Sequence, residues 1–311
     1  MRIKDKKRFT ISISIVIAIL VGIIAGIIVA SKDNKKSIKP ENSIPLENET
    51  ENLIVVEVAT EEKSKKVDFL ANVTTPMYKK NEKDIKIPII IYHAFATPAP
   101  AEDIYKLYST GPRFEENVST MLNDGYTFIS LEELYKYNKG ELALPEKVCI
   151  ITMDDGNIGC YTDAFPVLKK YNVPATIFII NDCVGTPNYF SWEQAKEMYD
   201  TGLVKLNIHG KSHIAYSNVS KEKLVSDYLT GHAELEEKMG ETILKAMAYP
   251  SGKCSENTIA WLKEAGFEVQ VLTKYGTVNK SRTLDLTDLG RIRGEQATGN
   301  QLLRTIKNAS N

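Results

Sequence analysis

Cysteine and histidine are both scarce in this chain, with four of each among 311 residues. The cysteines (Cys149, Cys160, Cys183, Cys254) include no Cys-x-x-Cys pair, which argues against a zinc ribbon, a dithiol redox motif or a small disulfide-stapled fold. Cys149 lies in an apolar strand-like run and reads as a small buried hydrophobe; the other three fall in loop-like segments, where an oxidising compartment would permit one bridge. Glycine (18) and proline (12) are too few for a collagen-like or proline-rich chain, and no internal repeat is present. A basic excess is also lacking. Residues 1–36 hold eight Lys and Arg against two Asp and Glu, which leaves 31 against 38, a net charge of −7, for the remainder. Nucleic acid is therefore not an expected partner, because neutralising phosphates takes a basic footprint.

What the chain does have, at 43% hydrophobic residues, is enough apolar material for a full core. One stretch is set apart: residues 9–30 are 22 residues without a charge, long enough as a helix to cross the ~30 Å hydrocarbon layer. Arg2, Lys4, Lys6, Lys7 and Arg8 precede it. A cleaved signal peptide would have a shorter apolar region of about 7–15 residues and a small-x-small end, which Ile28-Val29-Ala30 does not supply. The expectation is an uncleaved signal anchor, with residues 1–8 cytoplasmic and the body outside a single-pass cell-membrane span. Ser14, Ala18, Gly22, Gly26 and Ala30 recur every fourth residue, a stripe that would suit a transmembrane-helix homodimer. Residues 31–84, rich in Lys, Glu, Asn, Ser and Thr, read as an extracellular stalk, and residues 85–311 as the globular domain.

From Pro88 onward, short β-branched runs alternate with amphipathic stretches, the pattern of a mainly parallel sheet wrapped by helices. Strands are expected at residues 88–92, 127–129, 148–153, 175–180, 204–208, 245–249, 268–272 and 289–293. Helix starts are marked by Ser191 with Gln194, and by Ser220 with Lys223, the latter helix running to Met239 and stopped by Gly240. Seven or eight strand-helix units predict an irregular (β/α) barrel, preceded by one transmembrane helix. In such a barrel the active site lies at the carboxyl ends of the strands.

Reading past those ends gives His93, then Asp154-Asp155, Asn181-Asp182, His209, and Pro250-Ser251. Three of the four histidines (His93, His209, His213) lie at or just beyond a strand end, whereas His232 is expected exposed in mid-helix. One or two carboxylates with two imidazoles make a ligand set for a borderline divalent metal, zinc first, with cobalt or nickel as alternatives. Three protein ligands leave a position open for an acidified water, which is hydrolytic chemistry; the remaining Asp can then act as general base and His93 can protonate a leaving group. Taken singly, each piece has a plainer explanation, Asp-Asp-Gly as a turn and His-x-x-x-His as a pair on one helix face. Their coincidence at separate strand ends favours a site. Tyr189, Phe190 and Trp192 could stack on sugars, but Trp192 in a capped first turn is the more natural core residue; Tyr108 and Phe114 stay open.

Thr152-Met153-Asp154-Asp155-Gly156 and His209-Gly-Lys-Ser-His213 resemble the first two motifs of the polysaccharide deacetylases with a NodB homology domain, carbohydrate esterase family four. The resemblance covers residues 85–310. It implies Asp154 as general base, Asp155, His209 and His213 as metal ligands, and Tyr249-Pro250-Ser251-Gly252 as the groove-wall motif, with the Ser251 N–H in the oxyanion hole. Met153 stands where Phe is common, Ser251 replaces an aromatic, and no Arg precedes the third motif. The family's usual acid His near the carboxyl end is absent, and Pro88-Ile-Ile-Ile-Tyr-His93 resembles the opening of the extracellular poly-N-acetylglucosamine deacetylase branch, which makes His93 the expected acid. Arg291, with Arg293 as second choice, is the expected partner of Asp154. The implied activity is N-deacetylation of poly-N-acetylglucosamine or peptidoglycan. The alternatives are a carbohydrate-binding protein on the same scaffold and an O-acetyl esterase acting on xylan.

Overall fold

Val148–Asp155 is the longest strand, and every residue in it but the last is buried. Its side chains alternate between two surroundings, as a pleated strand requires. Val148 and Ile150 belong to one apolar cluster, while Cys149, Ile151 and Met153 belong to another that includes residues of the surrounding helices. The same alternation recurs along each neighbouring strand, so the first cluster fills the inside of a barrel and the second lies between barrel and helices.

The computed structural model describes residues 67–214, 219–252 and 254–310. The expected tail at 1–8, the membrane span at 9–30 with its small-residue stripe, and the stalk up to residue 66 lie outside the described residues. Among the described residues no helix is long and apolar enough to cross a membrane. The barrel strands are β1 (Ile89–Tyr92), β2 (Val148–Asp155), β3 (Ala175–Ile179), β4 (Val204–Ile208), β5 (Ala246–Ala248), β6 (Val269–Tyr275) and β7 (Leu289–Arg293). Each pairs in parallel with the next in chain order, and β7 returns to β1 through Ile292↔Ile90 and Arg293↔Ile91, so the ring closes on seven strands. The run expected as an eighth strand, at 127–129, is a two-residue strand, Thr127–Phe128, paired only with the start of β2. It is excluded from the ring because β2 pairs with β1 from Ile150 onward.

The helices are α1 (Gly111–Asn123), α2 (Leu131–Lys139), α3 (Phe165–Tyr171), α4 (Trp192–Asp200), α5 (Lys221–Met239), α6 (Glu256–Glu264) and α7 (Gly299–Ser310). Both expected helix starts form: Ser191 and Gln194 make a reciprocal capping box, and the Ser220 hydroxyl accepts from the Lys223 N–H. Gly240, in the left-handed region at φ 79°, ends α5. No α-helix separates β6 from β7, and this gap is what makes the barrel irregular.

The folded body begins before residue 85, inside the stretch read as stalk. Met77–Tyr78 pairs antiparallel with Leu144–Pro145, and Leu70 packs against the inner cluster with Ile85 and Ile87. The aromatic positions also resolve. Phe114 on α1 is fully buried and meets Tyr92 and Phe95 edge-on, Phe190 is fully buried, and Trp192 packs against the outer cluster. The four cysteines are free thiols, with Cys149 and Cys160 buried. Truncating Phe114 to Ala empties the junction of α1, β1 and the segment after it, and should cost roughly 3–5 kcal/mol, read from chemical denaturation at constant m-value.

Candidate active site

Residue parity within the strands decides which side chains reach the barrel mouth. Asp154 shares its face with Val148 and Ile150, and Arg291 shares its face with Leu289, so both project inward near the carboxyl end. They meet there with almost no exposure, 1% and 0%. The guanidinium donates to both Asp154 oxygens at 2.7 Å, and its Nε donates to the Leu272 carbonyl at 2.9 Å. Burial alone would raise the Asp154 pKa, but the charges of Arg291, His209 and His93 and the Arg291 hydrogen bonds outweigh it and bring it down to about 2.

Asp155 has the opposite parity and would face the helices if β2 continued straight. Its φ of 73° turns the chain instead, and both aspartates line the same cleft. His209 follows β4, and His213 reaches back from four residues on with φ 55°. Asp155 Oδ1 lies 3.4 Å from His209 Nε2 and 3.7 Å from His213 Nε2. Ligands about 2.0–2.1 Å from a tetrahedral ion stand about 3.3 Å apart, so the trio is spaced for one cation, and its two-nitrogen, one-oxygen donor set fits zinc. The His209 Nδ1–H donates to the Ala248 carbonyl at 3.0 Å, which turns Nε2 toward the trio. Burial and the neighbouring His209 lower the His213 pKa, favouring its neutral ligand form.

The loop bearing these histidines is held from α5. Asp227 accepts from the Lys211 N–H at 2.9 Å and the Ser212 hydroxyl at 2.6 Å, while the Lys211 ammonium bridges Glu234 and Asp182. Asp182, flagged by its strand-end position, supports this loop through Lys211, while Asn181 donates to the Gly231 carbonyl of α5; neither lines the cleft. His232 corrects the sequence expectation. It is 2% exposed, against Phe267 on the inner side of α5, because the helix turns that face toward α6.

His93, two residues beyond Ile91 on the inward face of β1, lines the cleft with Asp154, Asp155, His209, His213 and Ser251. Its Nδ1 lies 2.7 Å from Oε1 of Glu295, a fully buried carboxylate beyond β7. Burial opposes charge on His93, but the Glu295 hydrogen bond and the Asp154, Glu295 and Asp155 charges prevail, and its pKa is raised above 6.5. Glu295 escaped the sequence reading, although carrying the strand-end rule on to β7 would have found it. Arg293, the second choice for Asp154, pairs instead with Glu295, at 3.2 Å. Ser251 stands at the mouth in the left-handed region, φ 56°, and the next residue must be glycine, since a Cβ at Gly252 would fall 1.4 Å from Thr273 Oγ1.

Residues 142–270 match the family model described as polysaccharide deacetylase, a span reaching from before β2 into β6. The poly-beta-1,6-N-acetyl-D-glucosamine N-deacetylase of Staphylococcus epidermidis is 30% identical over 201 residues, which cover 57% of this chain and 68% of that protein. Among solved structures, the Streptococcus pyogenes deacetylase PplD in complex with acetate aligns at a TM-score of 0.65 and 26% identity, over 72% of this chain and 99% of that one. IcaB from Ammonifex degensii aligns at 0.62 and 25% identity, over 73% and 98%.

Two outcomes follow from this geometry. Removing the cation of the buried pair in Arg291→Ala should cost roughly 3–5 kcal/mol in denaturation at pH 7. The Asp154 contribution is present above pH 3.8 and lost as pH falls through about 2, so the gap between wild type and variant should narrow in acid. In metal-free protein, NMR titration should place His93 above the ordinary imidazole value, and Glu295→Gln should bring it down.

Proposed function

Because this chain belongs to the polysaccharide deacetylase family, we propose that it hydrolyses N-acetyl groups on an extracellular N-acetylglucosamine polymer, poly-N-acetylglucosamine ahead of peptidoglycan, from a membrane tether formed by residues 9–30. The observation that carries the reading is that the metal-spaced trio shares one cleft with an ionised carboxylate braced by Arg291 and an imidazole braced by Glu295. Those are a base and an acid with their pKa values driven apart, the arrangement amide hydrolysis calls for.

Asp155, His209 and His213 would hold a divalent cation, and zinc bound there supplies an acidified water and a polarised acetyl carbonyl. The chain's own groups do the rest. Arg291 keeps Asp154 ionised at every working pH, so its carboxylate is free to take the proton of the attacking water. His93, whose protonated form Glu295 favours, gives its proton to the amine nitrogen as the C–N bond breaks; without it the nitrogen would leave as an amide anion. The Ser251 N–H, at the cleft mouth, donates to the developing oxyanion. The products are acetate and a polymer carrying a free amine.

The test is acetate release from β-1,6-linked N-acetylglucosamine oligomers by the full chain in mild detergent. Chelation should abolish release and zinc restore it, and Asp154→Asn and His93→Ala should each lower kcat by about 10²–10⁴-fold. The rate depends on protonated His93 and falls as pH rises through its pKa, so Glu295→Gln should move the basic limb of the pH profile to lower pH. Zinc-loaded protein that leaves both glucosamine polymers untouched but deacetylates acetylxylan would sink the N-deacetylase reading.

A further inference from the structure

The described residues expose four large apolar side chains, and three of them gather at one rim of the catalytic cleft. Tyr105 and Tyr275, 71% and 49% exposed, both line the cleft, and Ile104 adjoins Tyr105 in the loop after β1; the fourth, Leu229, lies on α5. Leaving aromatic faces in water forgoes the gain of burying them, so a cluster of them at a cleft needs an occupant.

The rim is built rather than incidental. The Arg293 guanidinium lies over the Tyr275 ring, 5.5 Å from its centroid, and donates to the carbonyls of Tyr105 at 3.2 Å and Lys106 at 2.5 Å. Its Nε holds Glu295, the carboxylate behind His93. Asp103 closes the loop by accepting from the N–H groups of Leu107 and Tyr108, both at 2.9 Å. One arginine thus fixes two aromatic residues from distant parts of the chain and ties them to the acid side of the site. The cleft, about 350 Å³, extends continuously from the metal-spaced trio to these rings.

An aromatic face at this place matches the apolar C–H face of a pyranose, and a polymer substrate necessarily presents a second sugar beside the reacting one. We propose that Tyr105 and Tyr275, braced by Arg293, form a subsite that stacks the neighbouring hexosamine residue, on the side of the departing amine. This inference rests on the polysaccharide deacetylase reading above. It makes the enzyme selective for chains over single acetylated units. A lipid-facing rim would direct the rings away from the cleft, whereas both line it.

The experiment compares a β-1,6-linked N-acetylglucosamine pentamer with a small chromogenic acetate ester, using full chain in detergent. Tyr275→Ala and Tyr105→Ala should each lose about tenfold in kcat/KM on the pentamer, chiefly through KM, and no more than about twofold on the ester. Tyr275→Phe, which keeps the stacking face, should stay near wild type. Equal losses on both substrates, or no loss on the pentamer, would overturn the subsite. A Tyr105→Trp reporter gives a reading independent of turnover, since its emission should shift on adding pentamer; a shift only on reconstitution into phosphatidylglycerol vesicles would overturn the proposal in favour of a membrane contact. Should zinc-loaded wild type release no acetate from any oligomer, the functional reading fails, and the Trp titration still decides whether the rim binds sugar.

Discussion

A carboxylate and a guanidinium buried together at the mouth of the barrel are the constraint on which the rest of the site depends. Neither Asp154 nor Arg291 has meaningful access to water, so each is tolerable only because the other is present. The pair joins β2 to β7 across the barrel interior, and the remaining Arg291 contacts reach Thr152 and the Leu272 carbonyl of β6. The same interaction therefore helps to hold the ring closed and keeps the Asp154 carboxylate ionised. A carboxyl group held at about pKa 2 is a weak proton acceptor, which on the proposed hydrolase reading would suit a water acidified by a cation at the neighbouring trio.

The fold was legible because a closed parallel barrel leaves a simple trace in sequence. Strands buried on both faces read as short runs of Ile, Val, Leu and Phe, and all seven staves begin within one residue of the expected start. The count was harder. Thr127–Phe128 has the same composition as a stave, and only the pairing of β2 with β1 denies it a place. Asp154, Asp155, His209, His213 and His93 could be picked out because chemistry-bearing residues at strand ends are few, and Arg291 because the family resemblance implies an arginine beside Asp154 and none precedes the third motif.

What stayed hidden depends on three-dimensional adjacency. The strand-end rule could flag Glu295 as a candidate, but only the fold shows that its partner is His93, 202 residues earlier. His232 lies on a helix with a weak apolar stripe, and nothing local reveals that α6 covers that side. Trp192 packs into the outer cluster as its place in a capped first turn implies, whereas Tyr105 and Tyr275, far apart in sequence, become neighbours only through Arg293.

The order of the staves has a consequence for how the protein comes into being. Because the ring follows chain order and closes between β7 and β1, the metal-spaced trio comes from segments made early, whereas the partners of Asp154 and His93 arrive with the last strand. Until β7 is made, Asp154 has no guanidinium beside it and cannot be buried as an anion without cost, so the polar mouth of the barrel is completed only when the ring closes, and a molecule clipped before β7 would lose Arg291 and Glu295 together.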